Sequence, residues 1–120
     1  MTDRELLELA SRAINSNLVW CDSWKGMARF IDEITGFDFD SYWNPIANDG
    51  DALRLAVKLQ IDICHNHAAD HQKGVLAERA GCESAFPPAC CVEDEFEEPH
   101  RMEATRRAIV RAAAEIGRNM

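Results

Sequence analysis

The most constraining feature of the chain is the apolar stripe along its last twenty residues. Ala104, Ala108, Ile109, Ala112, Ala113 and Ile116 recur at three- and four-residue steps, and Pro99 precedes them. That spacing puts one face of a helix against a core, and proline is tolerated in a helix's first turn. A second stripe lies near the other end. Leu6, Leu7, Ala10, Ala13 and Ile14 share a face, Thr2 and Glu5 have capping-box spacing, and Asn15-Ser16-Asn17 breaks the pattern. The spacing predicts a helix over 2–16. The chain therefore folds with a helix at each end and must build the rest of its core from what lies between.

Between the helices the period changes. Leu18 to Cys21 and Ala28 to Ile31 read as strands separated by a turn at Ser23 to Gly26, and Asp32 to Asp40 reads as a strand edge or ordered loop. A helix follows Tyr42-Trp43-Asn44-Pro45, since proline holds the residue before it extended. Asn48 or Asp49 is its N-cap, and Ala52 to Gln60, apolar nearly all round, is expected buried against a sheet. Residues 61–67, 74–79 and 89–93 read as three strands of an antiparallel meander, with turns at 70–74 and 81–88. The fold class predicted is α+β, an antiparallel sheet packed with helices in an α-β-α sandwich-like arrangement. The 120 residues make a single domain.

Composition narrows the function. The net charge of −8 disfavours nonspecific contact with nucleic acid or an anionic membrane, and no segment reaches the ~20 apolar residues of a membrane helix. The start, Met1-Thr2-Asp3-Arg4-Glu5, lacks the basic and apolar pattern of a signal peptide. A cytoplasmic protein is expected, with its five cysteines reduced.

Trp43-Asn44-Pro45, the run Asn48-Asp49-Gly50-Asp51-Ala52-Leu53-Arg54-Leu55-Ala56-Val57-Lys58-Leu59, the start Met1 to Ala10 and the tail Glu103 to Gly117 resemble the phage α-β-α sandwich domain family of small tailed-phage proteins. The resemblance lapses over 17–42 and 60–98. It implies a sheet packed between helices and a phage origin, which makes the expected cytoplasm that of a host cell. It implies no activity and supplies no catalytic residues.

Each chemical constellation competes with a plainer structural role. Cys64, His65, His67 and His71, with Cys82, Cys90, Cys91 and His100, contain metal-ligand types, but strand alternation separates Cys64 from His65 and His67, and no C-x-x-C pair is present. Pairing Cys64 or Cys90 with His67 or His100 as nucleophile and base has no orienting group to mark it. Asp32, Glu33, Asp38, Asp40, Asp49 and Asp51 form an acidic stretch without lysine or arginine between them. It reads as a solvated face and capping chemistry before it reads as a magnesium or acid–base site. No catalytic residue, metal ligand or cofactor is therefore assigned.

Binding has positive signals. Trp24, in a turn, is the best exposed aromatic contact, whereas Trp43 is expected in the core and Trp20 half-buried. The last helix holds five arginines against two glutamates between 101 and 118. Arg106, Arg107 and Arg111 could grip phosphate, or they could pair with the acids at 93–98 or with a second subunit. With Trp24 as a base platform, they would form a site for a small anionic, nucleotide-like ligand between subunits of a homo-oligomer. The expected function is a non-enzymatic, phage-encoded counter-defence protein that sequesters such a host signal. The alternative is an acidic inhibitor of a host defence or nucleic-acid-binding protein, comparable to an anti-CRISPR, whose partner-binding residues would include Asp38, Asp40, Glu95 and Glu97. A small hydrolase or metal-binding protein ranks third. Neither leading version involves direct nucleic-acid or membrane binding.

Overall fold

The computed structural model describes residues 1–65, 74–79, 89–93 and 96–120, with the side chains of 89–91 and 98 set aside. The chain is α+β. In order it forms α1 (Asp3–Ala13), β1 (Val19–Cys21), β2 (Gly26–Asp32), β3 (Gly36–Trp43), α2 (Asp49–Leu59), β4 (Asp62–His65), β5 (Val75–Arg79), β6 (Ala89–Glu93) and α3 (Arg101–Arg118).

The helix ends follow from side-chain chemistry. Thr2 accepts a hydrogen bond from the Glu5 N–H at the start of α1, and Asn48 accepts one from Asp51 N–H at the start of α2. Gln60 closes α2 in the left-handed region at φ 56°, and Ile61 N–H returns to Ala56 O at 2.8 Å. Pro99 lies in a short 3₁₀ turn, Glu98–His100, which runs into α3. The helix expected after Pro45 starts at Asp49 with Asn48 as its N-cap, one of the two positions the sequence offers, while Tyr42 and Trp43 complete β3.

All strand pairing is antiparallel, but it is divided between two sheets, β1-β2-β3 and β4-β5-β6. The meander read over 61–93 is the second of them. The expected single sheet divides because the segment after α1 makes its own hairpins, and among the described residues no strand of one set pairs with the other. Expected strand residues His67 and the turns at 70–74 and 81–88 fall wholly or largely outside the described residues.

α3 is the hub. It packs against α1, α2, β5 and β6, and α1 in turn touches β1 and β2. Contact therefore runs from the first sheet through α1 and α3 to the second sheet. The core joins Leu6, Leu7 and Ala10 of α1, Leu55 and Leu59 of α2, Val75 and Ala77 of β5, and Ile109, Val110 and Ile116 of α3. Alanines let the helix backbones approach closely. At Gly117 even a methyl group is excluded, since a Cβ would lie 1.9 Å from Leu9 O.

α2 departs from the all-round burial expected of it. Ala52, Leu55, Ala56 and Leu59 are buried, but Leu53 and Val57 are 61% and 69% exposed. Among the described residues the main partner of the helix is α3, and the side bearing Leu53 and Val57 is left uncovered. The molecule is elongated, 55 × 36 × 23 Å.

Candidate interaction face

The β2–β3 hairpin carries the most distinctive surface. Met27 is buried in the core. Phe30 lies on the other face of β2 and pairs across the ladder with Phe37, because successive strand residues point to opposite sides. Phe30 and Phe37 meet at a 5.4 Å centroid separation, nearly edge to face. Trp24 stands among Phe37, Phe39 and Tyr42 at 6.0, 5.5 and 6.1 Å. These separations suit attractive aromatic contacts. Five of the chain's nine aromatic residues thus form one cluster on the side away from the core.

Local sequence chemistry builds this face. Gly26 lies beneath Tyr42, where a Cβ would come within 2.6 Å of the ring. The Tyr42 hydroxyl donates to Trp24 O, and Asn44 Nδ2 donates to Lys25 O, which pins the β1–β2 turn. The register shifts strongly between Met27↔Trp43 and Arg29↔Asp38, leaving extra residues on β3. Ser41 spans that bulge, accepting from Arg29 N–H and donating to Asp38 O, both at 2.7 Å. The irregularity leaves Phe39 standing 73% exposed.

Acids border the rings. Asp38 pairs with Arg29 at 2.9 Å and also accepts from Asp40 N–H, and Asp40 is exposed beside Phe39. Asp22 pairs with Lys25. The Lys25 hydrogen bond, followed by one from Trp20, holds the Asp22 carboxyl below the usual carboxylate range. At the hairpin turn, Asp32 accepts from Thr35 N–H, from the Thr35 hydroxyl and from Ile34 N–H. The Thr35 backbone bond is the main reason its carboxyl also titrates low.

Trp24, Asp38 and Asp40 therefore belong to one surface. Trp24 is half-buried at the centre of the cluster instead of freely exposed, and Phe39 is the most exposed of its rings. Trp20 and Trp43 are both half-buried against the core. Glu97 is exposed and lies elsewhere, lining a cleft of about 740 Å³ with Ile46, Phe96, His100 and Glu103. Glu95 is outside the described residues.

Arg106, Arg107 and Arg111 each pair away from Trp24, and Arg106 points to different partners from the other two. Arg106 donates to Ile46 O at 2.7 Å and to Asp49 at 2.6 Å, which anchors the start of α2 to α3. Arg107 reaches Asp3 at 3.0 Å. Arg111 reaches Glu93 at 2.7 Å, within the acidic run expected to meet it. Arg107 and Arg111, with Arg118, line a cleft of about 430 Å³ that also holds Glu93 and Glu115. Arg118, on the helix face of Arg107 and Arg111, joins them here, although only Arg106, Arg107 and Arg111 are expected to grip a ligand.

The cysteines and histidines do not converge among the described residues. Cys21 is buried and Cys64 exposed, His65 contacts Arg101, and His100 pairs with Glu103. Among the described residues no group of three His, Cys, Asp or Glu side chains is placed to hold a metal, and no helix is long and apolar enough to cross a membrane. Phe30, Phe37 and Phe39 were overlooked as a unit, yet the alternation Phe37-Asp38-Phe39-Asp40 is itself a strand pattern with one aromatic edge.

Comparison with known proteins gave no matching family model, no matching curated protein and no matching solved structure.

Proposed function

We propose that this chain is a non-enzymatic binding protein of phage origin, acting in a host cytoplasm, that docks a basic protein surface on its aromatic, acid-edged hairpin face. The observation that carries the reading is the Trp24–Phe37–Phe39–Tyr42 cluster beside Asp38 and Asp40. Aromatic side chains supply large contact area at low conformational cost, and interface energy concentrates on such anchors. Carboxylates at the rim select a partner of opposite charge and speed encounter more than they add affinity. A surface that normally meets nucleic acid has the required charge, which agrees with inhibition of a defence or nucleic-acid-binding protein.

The test is capture from bacterial lysate, followed by titration of the purified partner against Phe39→Ala and Asp40→Lys. Phe39 is exposed enough for its loss to spare the fold. A fall of about tenfold or more in affinity for Phe39→Ala is expected, with a slower on-rate for Asp40→Lys. Unchanged binding by both variants, or no partner at all, would overturn the reading.

A second reading rests on the cleft of Arg107, Arg111 and Arg118. Guanidinium groups carry five donors each, and the pairs of Arg107 with Asp3 and of Arg118 with Glu115 involve exposed carboxylates, weak enough to exchange, whereas Glu93 beside Arg111 is partly buried. Sequestration of a small phosphorylated, nucleotide-like ligand would occur there, without Trp24 or Arg106. A thermal-shift panel of nucleotides tests it: a rise of several degrees that Arg111→Ala removes is expected, and no rise with any nucleotide excludes it.

A further inference from the structure

The distal half of the β2–β3 hairpin stands clear of the body. Arg29 and Phe30 point to opposite faces of the strand, yet the Arg29 side chain is 60% exposed and Phe30 is 48% exposed. Every residue from Arg29 to Thr35 is exposed. Ile31 is 46% exposed, and Ile34, at the tip, is 99% exposed. Three large apolar side chains, Phe30, Ile31 and Ile34, are therefore exposed toward the end of a ribbon with solvent on both sides.

The tip is also held in shape. The Asp32 carboxylate gathers Ile34 N–H, Thr35 N–H and the Thr35 hydroxyl. Gly36 supplies the left-handed backbone, φ 79°, that returns the chain into β3. A turn ordered in advance loses little freedom when bound. Its charge has one sign: between Phe30 and Tyr42 the chain has four acids, Asp32, Glu33, Asp38 and Asp40, and no lysine or arginine.

We infer that the hairpin tip is an insertion finger, with Ile34 as its anchor, entering a concave, basic-lined cleft of a partner protein. A flat partner could cover the Trp24 cluster but would leave Ile34 and one side of the ribbon wet. A cleft covers both, and its basic lining answers Asp32 and Glu33. This rests on the proposed docking face and adds the shape of its partner: a groove of the kind that admits a nucleic-acid strand.

Photo-crosslinking tests it, with benzophenone residues placed singly at Ile34, Phe39 and Val57 of the full chain in bacterial cells. The expected result is a shared protein adduct from 34 and 39 but not from 57, with the position-34 adducts mapping to opposite walls of one groove. For the purified partner, Ile34→Asp should weaken binding about tenfold or more at unchanged Tm, and a single-stranded oligonucleotide should compete. Adducts from 39 without any from 34 would overturn the finger and leave the docking face standing. Adducts from neither would sink both. Adducts between two copies of this chain, or an Ile34→Asp variant that binds normally, would also overturn it.

Discussion

Gly117→Ala tests the central packing claim. The new Cβ would lie 1.9 Å from Leu9 O and 2.8 Å from Leu9 C, where ordinary contact begins at 3.4 Å. Both obstructing atoms are backbone, so no rotamer change relieves the clash. α1 and α3 must part by more than an ångström, along a seam that buries Leu6, Leu7, Ala10 and Ala13. Overpacking a close-packed interior costs roughly 1–3 kcal/mol. Alanine's better helix propensity returns at most about 1 kcal/mol, less near a helix end. Because backbone rather than a side chain must move, we expect a net loss of roughly 2 kcal/mol. That corresponds to a Tm lowered by roughly 8 °C for a domain of this size. Gly50→Ala is the control, since its Cβ meets the movable Arg54 guanidinium at 3.2 Å; it should be neutral or stabilising by up to about 1 kcal/mol. Thermal unfolding by circular dichroism of both variants decides the matter. A Gly117→Ala protein as stable as the parent would refute the backbone contact between α1 and α3.

Three further outcomes follow from the hydrogen bonds. Asn44→Ala should cost roughly 2 kcal/mol in urea unfolding, because buried Asn44 accepts from Ile46 and Ala47 N–H and donates to Lys25 O; a loss below half of that would show these bonds to be dispensable. Arg106→Ala should cost about 1–3 kcal/mol, since Ile46 O loses its guanidinium donor, whereas exposed Arg118→Ala should change stability by less than about 0.5 kcal/mol; equal effects in the same unfolding assay would contradict the difference in burial. Asp32 titrates low in the folded chain, so its contribution is fully present above the unfolded carboxylate's value of about 3.9 and is lost as pH falls through the lower folded value. Ile34 and Thr35 amide resonances should therefore move together below about pH 4, and Asp32→Asn should abolish the transition; flat shifts in the parent would disprove the turn.

The sequence was most legible where one interaction decided the outcome. Caps at Thr2 and Asn48, the stripes of α1 and α3 and the meander of the second sheet could all be read from local spacing. Ala52 to Leu59 could not. Its all-round apolar pattern signals burial, but Leu53 and Val57 show that a pattern does not say whether a neighbour exists to cover it. The division into two sheets was likewise hidden, because pairing depends on which strands meet across α1 and α3. At the candidate site, the sequence offers Trp24 separately from Asp38 and Asp40. Their union depends on the β3 bulge, whose Ser41 bridge is a tertiary arrangement with no fixed sequence spacing.

The placement of α3 at the hub has a consequence for synthesis. Its largest partner, α1, precedes it by nearly the whole chain, and contacts of such separation form only after a long loop has closed. The β2–β3 hairpin is local and can close early. A growing chain would thus present its aromatic ribbon while Leu6, Leu7, Leu55 and Val75 still lack the helix that buries them. Until residues 104–116 have emerged, the nascent protein offers chaperones an apolar surface and carries its hairpin on an unfinished body. Ribosome-stalled chains of increasing length would reveal the change, with protease resistance of the body arriving in one step as α3 clears the exit tunnel.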